Sequence, residues 1–142
     1  MAHQFPSVIP MLSYEDGAAA LEWLAKAFGF SERMRLQDAD GRLTHAEMTV
    51  GDGMIMLATP SPDYEGPRRH RQHCERAKRW STVPFIVDGV YVTVDNVDEH
   101  CARARSAGAT ILSEPEAGPA GRRYRAEDLE GHRWMFTERA PR

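Results

Sequence analysis

Residues 45–58, HAEMTVGDGMIMLA from His45 to Ala58, decide how this chain is read. Two alternating runs meet at Gly51-Asp52-Gly53, where glycine can supply the positive φ angles of a tight turn, so the stretch predicts a β-hairpin. With Val50 opposite Gly53, Thr49 faces Met54, Glu47 faces Met56 and His45 faces Ala58. The other face collects Ala46, Met48, Val50, Ile55 and Leu57, which are uniformly apolar and therefore expected to lie under helices. The first face mixes an imidazole, a carboxylate, a hydroxyl and two thioethers, a lining suited to a ligand cavity. An isolated antiparallel hairpin would instead turn that face to water, and the choice depends on the rest of the chain.

On either side of the hairpin the pattern is strand, helix, strand. Phe5 to Ser13 reads as a strand whose prolines suit an edge or an irregular start. A helix follows, with Asp16 as N-cap, Leu21, Leu24, Ala25 and Phe28 as its apolar stripe, and Gly29 as its stop. A strand around Glu32–Gln37 and a turn at Asp38-Ala39-Asp40-Gly41 lead into His45. The second half repeats this order. Val90 to Val94 is a strand, and Asn96 caps a helix with Glu99 three residues on, a capping box. Val97, Cys101 and Ala104 form its stripe, Gly108 ends it, and a short strand spans Thr110–Ser113. A second hairpin runs from Arg122 to Thr137 and turns at Asp128-Leu129-Glu130-Gly131. Each half exposes one sheet face, so pairing two such halves is the natural solution.

Between the halves, His70, His73, Cys74, Ala77 and Trp80 recur at helical spacing with Arg71, Arg76, Lys78 and Arg79 off that stripe. This predicts one basic amphipathic helix over residues 70–80, its arginines on a solvated face. Val83 to Val87 is a strand candidate, turned by Asp88-Gly89. The expected organisation is one domain, 1–142, made of a first module 5–59, a connector 60–88 and a second module 89–138.

At 142 residues the chain can bury roughly two-thirds of its unfolded surface. A net charge of −3 argues against a general nucleic-acid binder, and no apolar run approaches membrane-spanning length. Met1 to Pro10 lacks the basic start and apolar stretch of a signal peptide. Cys74 and Cys101 make neither a CxxC nor a metal-finger spacing, which fits free thiols in a reducing cytoplasm.

Three segments resemble the vicinal oxygen chelate superfamily, which includes glyoxalase I, extradiol dioxygenases and the bleomycin-resistance proteins. They are SYEDGAAALEWLAKAFGF, HAEMTVGDGMIML, and the pair VTVDNVDEHCARARSAGA with RRYRAEDLEGHRWMF. The resemblance implies an α+β fold in which two βαβββ modules form half-barrels around a shared cavity. His45, Glu47, Thr49, Met54 and Met56 then become lining residues. In the second hairpin, placing Glu127 opposite His132 puts Tyr124 opposite Met135, Ala126 opposite Arg133 and Arg122 opposite Thr137. By the same logic Arg122, Tyr124, Arg133 and Met135 face inward, with Trp134 and Phe136 under the helix. Leu129 stands where the family usually has proline after the turn aspartate.

Metal-dependent relatives of the glyoxalase I kind hold their ion with His or Glu on the first and last strands of the modules. Aligned onto that pattern, the four ligand positions carry Ile9, Met56, Gly89 and Met135. None suits a hard or borderline divalent ion, and methionine suits only soft ions such as Cu(I). A shift by one residue meets Val8, Pro10, Ile55, Leu57, Val90, Trp134 and Phe136, leaving only Asp88. No metal, no cofactor and no catalytic residue is therefore assigned. His70-x-x-His73-Cys74 has no evident third and fourth partner, and His73 and Cys74 are expected to pack beneath the helix.

Three readings of function follow. The leading one is a metal-free protein of the bleomycin-resistance type that binds a small organic ligand in the cavity between its modules. The alternative is an enzyme, lyase or dioxygenase, with relocated metal ligands or acid–base chemistry at Glu47, whose pKa a partly apolar cavity can raise. The third is a regulatory module whose basic helix meets a partner. The resemblance further implies a homodimer, with neither nucleic acid nor membrane as partner.

Overall fold

The computed structural model describes residues 5–138, arranged as two compact units that divide between Tyr64 and Glu65. The reading of 1–142 as one domain, and of Met1 to Pro10 as lacking a signal peptide, reaches outside the described residues. The first unit contains β1 (Met11–Ser13), α1 (Gly17–Phe28), β2 (Ser31–Gln37), β3 (Leu43–Val50) and β4 (Gly53–Ala58). Its sheet has the order β1-β4-β3-β2, with β1 parallel to β4 and the other pairs antiparallel. β1 is shorter than the expected Phe5–Ser13. Pro10, which has no N–H to donate, enters the ladder only through its carbonyl, accepting from Met56 N–H at 2.9 Å.

Asp16 caps α1 by accepting from Ala19 N–H at 3.0 Å, and Gly29 ends it in the left-handed region at φ 77°. The helix buries Leu21, Leu24 and Phe28, with Ala20 and Ala27 buried where the stripe expected Ala25. Gly17 lets the start of α1 approach the sheet. A Cβ there would lie 2.5 Å from Leu43 Cδ2, and the Gly17 N–H donates to Thr59 Oγ1 at 2.9 Å. The β3–β4 hairpin has the expected register, with Thr49 opposite Met54, Glu47 opposite Met56 and Val50 opposite Gly53. Ala46, Met48, Ile55 and Leu57 are buried, the apolar face of that reading.

The second unit contains α2 (Pro67–Gln72), α3 (Glu75–Trp80), β5 (Gly89–Val94), α4 (Val97–Ser106), β6 (Thr110–Gly118), β7 (Gly121–Glu127) and β8 (Arg133–Glu138). Its sheet order, β5-β8-β7-β6 with β5 parallel to β8, repeats the first topology. The fold is therefore α+β, with the same βαβββ unit used twice. Asn96 caps α4 by accepting from Glu99 N–H at 3.0 Å, and Val97, Cys101 and Ala104 are its buried face. β6 continues past Ser113 to Gly118. The polar run Glu114–Gly118 reads locally as loop, but pairing with β7 down to Gly118–Gly121 keeps it extended, with register shifts along the way.

The second hairpin corrects the expected register by one residue. Glu127 faces Arg133, not His132, so Ala126 faces Trp134, Arg125 faces Met135, Tyr124 faces Phe136 and Arg123 faces Thr137. The cause lies in the loop. Asp128 and His132 close it, with Asp128 N–H donating to the His132 carbonyl at 2.9 Å and Gly131 N–H donating to the Asp128 carbonyl at 3.1 Å. Gly131 takes φ 92°, so the loop has three residues, a tight turn followed by a left-handed glycine. The buried Asp128 carboxylate accepts from Glu130 N–H and His132 N–H, both at 3.0 Å, and from Trp134 Nε1 at 3.1 Å. An odd loop in place of an even one turns β7 over relative to β8.

Segment 65–88 joins the second unit and departs from its reading in two ways. The single helix over 70–80 is broken at His73-Cys74 into α2 and α3. Of the expected stripe only Ala77 is buried; His73 is exposed beside Glu65 at 2.9 Å, and Cys74 is half-buried. Polar anchors orient α2 instead. Arg68 donates to the Asp128 and Leu129 carbonyls, both at 2.8 Å, and Arg71 reaches Glu127. Val83–Val87 forms no strand: the Val83 N–H donates back to the Trp80 carbonyl at 3.1 Å, and the Val83 carbonyl accepts from Ile86 N–H and from the Arg133 guanidinium, which also holds the Ser81 carbonyl at 2.6 Å.

Candidate functional site

In the first unit a cross-strand row joins Met11, Met56 and Glu47. Beside it lie His45, Thr49 and Met54, so the structure brings together all five residues assigned to this face. Glu47 and Met54 are buried, and His45, Thr49 and Met56 are half-buried. Glu47 has two cationic or ionisable neighbours. His45 Nε2 lies 2.9 Å from Oε2, and Arg33 Nη1 donates to Oε1 at 2.5 Å. The His45 contact and, against the opposing push of burial, the Arg33 guanidinium hold the Glu47 carboxyl below the ordinary carboxylate range. This reverses the raised pKa that an acid–base role for Glu47 requires.

Arg33 was not legible as a site residue. It occupies a bulge in β2, where Arg33 and Met34 share the place opposite Glu47, and its guanidinium also lies 4.6 Å over the Phe5 ring. A bulge leaves no mark in hydropathy, and Arg33 reads as one more polar residue on an alternating strand.

In the second unit the equivalent face carries two rows. One joins Gly89, Arg133 and Glu127, the other Tyr91, Met135 and Arg125. Arg133 and Met135 thus stand on the face assigned to them. Tyr124 and Arg122 do not, because the corrected register turns them to the α4 side. Tyr124 is fully buried, its hydroxyl 2.6 Å from His100 Nδ1 and its ring stacked on Phe136; burial raises its pKa strongly. Arg122 forms a two-point pair with Asp98 of α4 at 2.8 and 3.1 Å. Their place is taken by Arg125 and Glu127.

Glu127 is the centre of a buried ion cluster. Arg71 donates to it through both terminal nitrogens at 2.7 and 3.0 Å, Arg133 through Nε at 2.9 Å, and Arg68 lies 3.7 Å away. Burial pushes the Glu127 carboxyl up, but Arg71 and Arg133 outweigh it and hold the group below its ordinary value. Arg125 is different. Among the described residues it has no carboxylate partner, and its guanidinium lies 5.7 Å over the Phe85 ring. Phe85, Pro84, Tyr91, Met135 and Arg125 line a cavity of about 180 Å³ within this unit.

A divalent metal does not fit these residues. The strand pairings place Met11 opposite Met56 and Tyr91 opposite Met135, so the alignment that assigned Ile9, Met56, Gly89 and Met135 to the ligand positions is consistent between the two units. These four offer no hard donor, and the nearby carboxylates of Glu47 and Glu127 are engaged by arginine. Among the described residues no three His, Cys, Asp or Glu side chains gather into a group able to hold an ion. No helix is long and apolar enough to cross a membrane.

Known proteins place this geometry. An uncharacterized protein of Mycobacterium bovis is 31% identical over 138 residues, 94% of this chain and 83% of that one. An uncharacterized protein of Mycobacterium tuberculosis is likewise 31% identical, with 74% of its length matched. The crystal structure of TioX from Micromonospora sp. ML1 superposes with a TM-score of 0.66 at 31% identity, over 96% of this chain and 98% of that one. TnmS3, an antibiotic binding protein from Streptomyces sp. CB03234, shares the fold with a TM-score of 0.64 at 18% identity, over 97% and 100% of the two chains. The model of the Glyoxalase/Bleomycin resistance protein/Dioxygenase superfamily matches residues 8–136, and with the duplicated βαβββ topology this establishes that the chain belongs to that superfamily.

Proposed function

We propose that this chain is a metal-free small-molecule-binding protein that holds an organic ligand on the thioether- and aromatic-bearing sheet face of its second unit, the face that carries Met135. The observation that carries this reading is the chemistry of the two sheet faces. Every position where metal-dependent relatives place a hard ligand is apolar or glycine, and Glu47 and Glu127 are both neutralised by guanidiniums. What remains is thioether, aromatic and hydroxyl surface with the Arg125 guanidinium at its edge, which recognises organic rings by dispersion and stacking and does not activate water or oxygen. TnmS3, which has this fold, is described as an antibiotic binding protein, and that gives the reading a precedent.

The test is a thermal-shift screen of the purified protein against aromatic natural products and, separately, zinc, nickel and iron salts, together with elemental analysis. Stabilisation by an organic compound that is insensitive to chelator is expected, since a ligand that binds only the native state raises the melting temperature. A full equivalent of a divalent ion retained through purification would overturn the proposal.

A further inference from the structure

We infer that the cavity under Phe85 is selective for a single-ring aromatic carboxylate, with the carboxylate on Arg125 and the ring against Tyr91, Met135 and Phe85. The inference rests on the small-molecule reading above and names the class of ligand. Its first support is charge. Glu127 is shared by Arg71 and Arg133 with Arg68 close by, so one carboxylate stands against three guanidiniums before Arg125 is counted. Arg125, half-buried and without a carboxylate partner among the described residues, adds a further positive charge at the wall of the cavity. Such a site favours an anion and disfavours a cation.

The second support is shape. Tyr91, Met135 and Arg125 form one cross-strand row, so a phenol, a thioether and a guanidinium stand side by side, with Phe85 and Pro84 across the cavity from them. Aromatic and thioether walls match a ring. A guanidinium matches a carboxylate in the plane of that ring through two parallel hydrogen bonds. The volume, about 180 Å³, compares with the roughly 150 Å³ cavity that accommodates benzene. It therefore accommodates one ring with a small substituent, and because Phe85 and Tyr91 are exposed, one edge of that guest stays open to solvent.

The experiment titrates the full chain with benzoate, benzamide and acetate and follows backbone amide chemical shifts. Benzoate is expected to shift the amides of Tyr91, Arg125 and Met135 and to bind at least about tenfold more tightly than either comparator, because only benzoate supplies both ring and charge. Arg125→Met, which keeps the apolar stem, should weaken benzoate about ten- to a hundredfold and leave benzamide unchanged. Arg125→Lys should fall between, since a point charge lacks the two-point geometry. Near-ultraviolet circular dichroism checks that each variant is folded. Benzoate binding no tighter than benzamide or acetate, undiminished in Arg125→Met, or shifting amides elsewhere would overturn the inference. If benzoate fails while neutral organic compounds stabilise the protein in the thermal-shift screen, anion selectivity falls and the small-molecule reading stands; if no organic compound registers in either assay, both fall.

Discussion

Glu127→Gln is the sharpest test of how the second unit is held together. The carboxylate is buried and accepts from Arg71 and Arg133, while Arg133 is itself only 5% exposed. Glutamine keeps the shape but offers one carbonyl oxygen and turns an NH₂ group toward a guanidinium. Arg133 would keep the Ser81 and Val83 carbonyls yet lose its counter-charge in a largely buried site. Removing one partner of a buried pair costs about 3–5 kcal/mol, more than the pair contributes against an apolar replacement. At a urea slope of about 2 kcal/mol/M that lowers the unfolding midpoint by about 2 M, and it lowers the melting temperature by about 10–15 °C. The assay is urea unfolding followed by tryptophan fluorescence at pH 7 and at lower pH. Because the folded pKa of Glu127 lies below its unfolded value, its stabilisation is present above the unfolded pKa, roughly 4.3, and is lost as pH falls through the folded pKa. The gap between wild type and Glu127→Gln should therefore narrow below about pH 4. Replacing Glu127, Arg71 and Arg133 together by apolar residues of similar size should cost less than the single change. A Glu127→Gln penalty under about 1 kcal/mol at pH 7 would refute the claim that the cluster is desolvated and mutually dependent.

Three further substitutions test the hairpins. Met48→Glu places a carboxylate in a fully buried position and should cost several kcal/mol of stability in the same urea assay. Glu47→Gln, one residue away on the opposite face, should leave the fold intact, because its partner Arg33 is more than a third exposed; tolerance of Met48→Glu with unfolding by Glu47→Gln would show the first register to be wrong. Asp128→Ala strips an acceptor from Glu130 N–H, His132 N–H and Trp134 Nε1 and should destabilise by about 3 kcal/mol. It should also speed hydrogen exchange at those two amides, and unchanged exchange would show that the carboxylate does not set the three-residue loop.

What the sequence by itself determined is local. The first hairpin register follows from Gly51-Asp52-Gly53, which adjoins both strands it aligns, and from an apolar face that tolerates one register only. Asp16, Asn96 and Gly29 mark helix ends because capping is satisfied within three or four residues. The module repeat was likewise legible, since it is a matter of order and spacing. The tertiary structure decided the rest. Asp128-Leu129-Glu130-Gly131 admits an even or an odd loop, and the choice rests on the Asp128 carboxylate reaching forward to the buried Trp134. That choice removed Tyr124 and Arg122 from the candidate face and put Arg125 and Glu127 there. Arg71, which reads as a solvated charge on its own helix, is drawn inward by Glu127 from 56 residues away. Arg133 likewise takes the Val83 carbonyl, which Val83–Val87 would need as a strand. Hydropathy assigns a charged side chain to solvent unless its partner is known. A buried ion pair stabilises both charges only together, so neither member reveals its place until the fold brings them into contact.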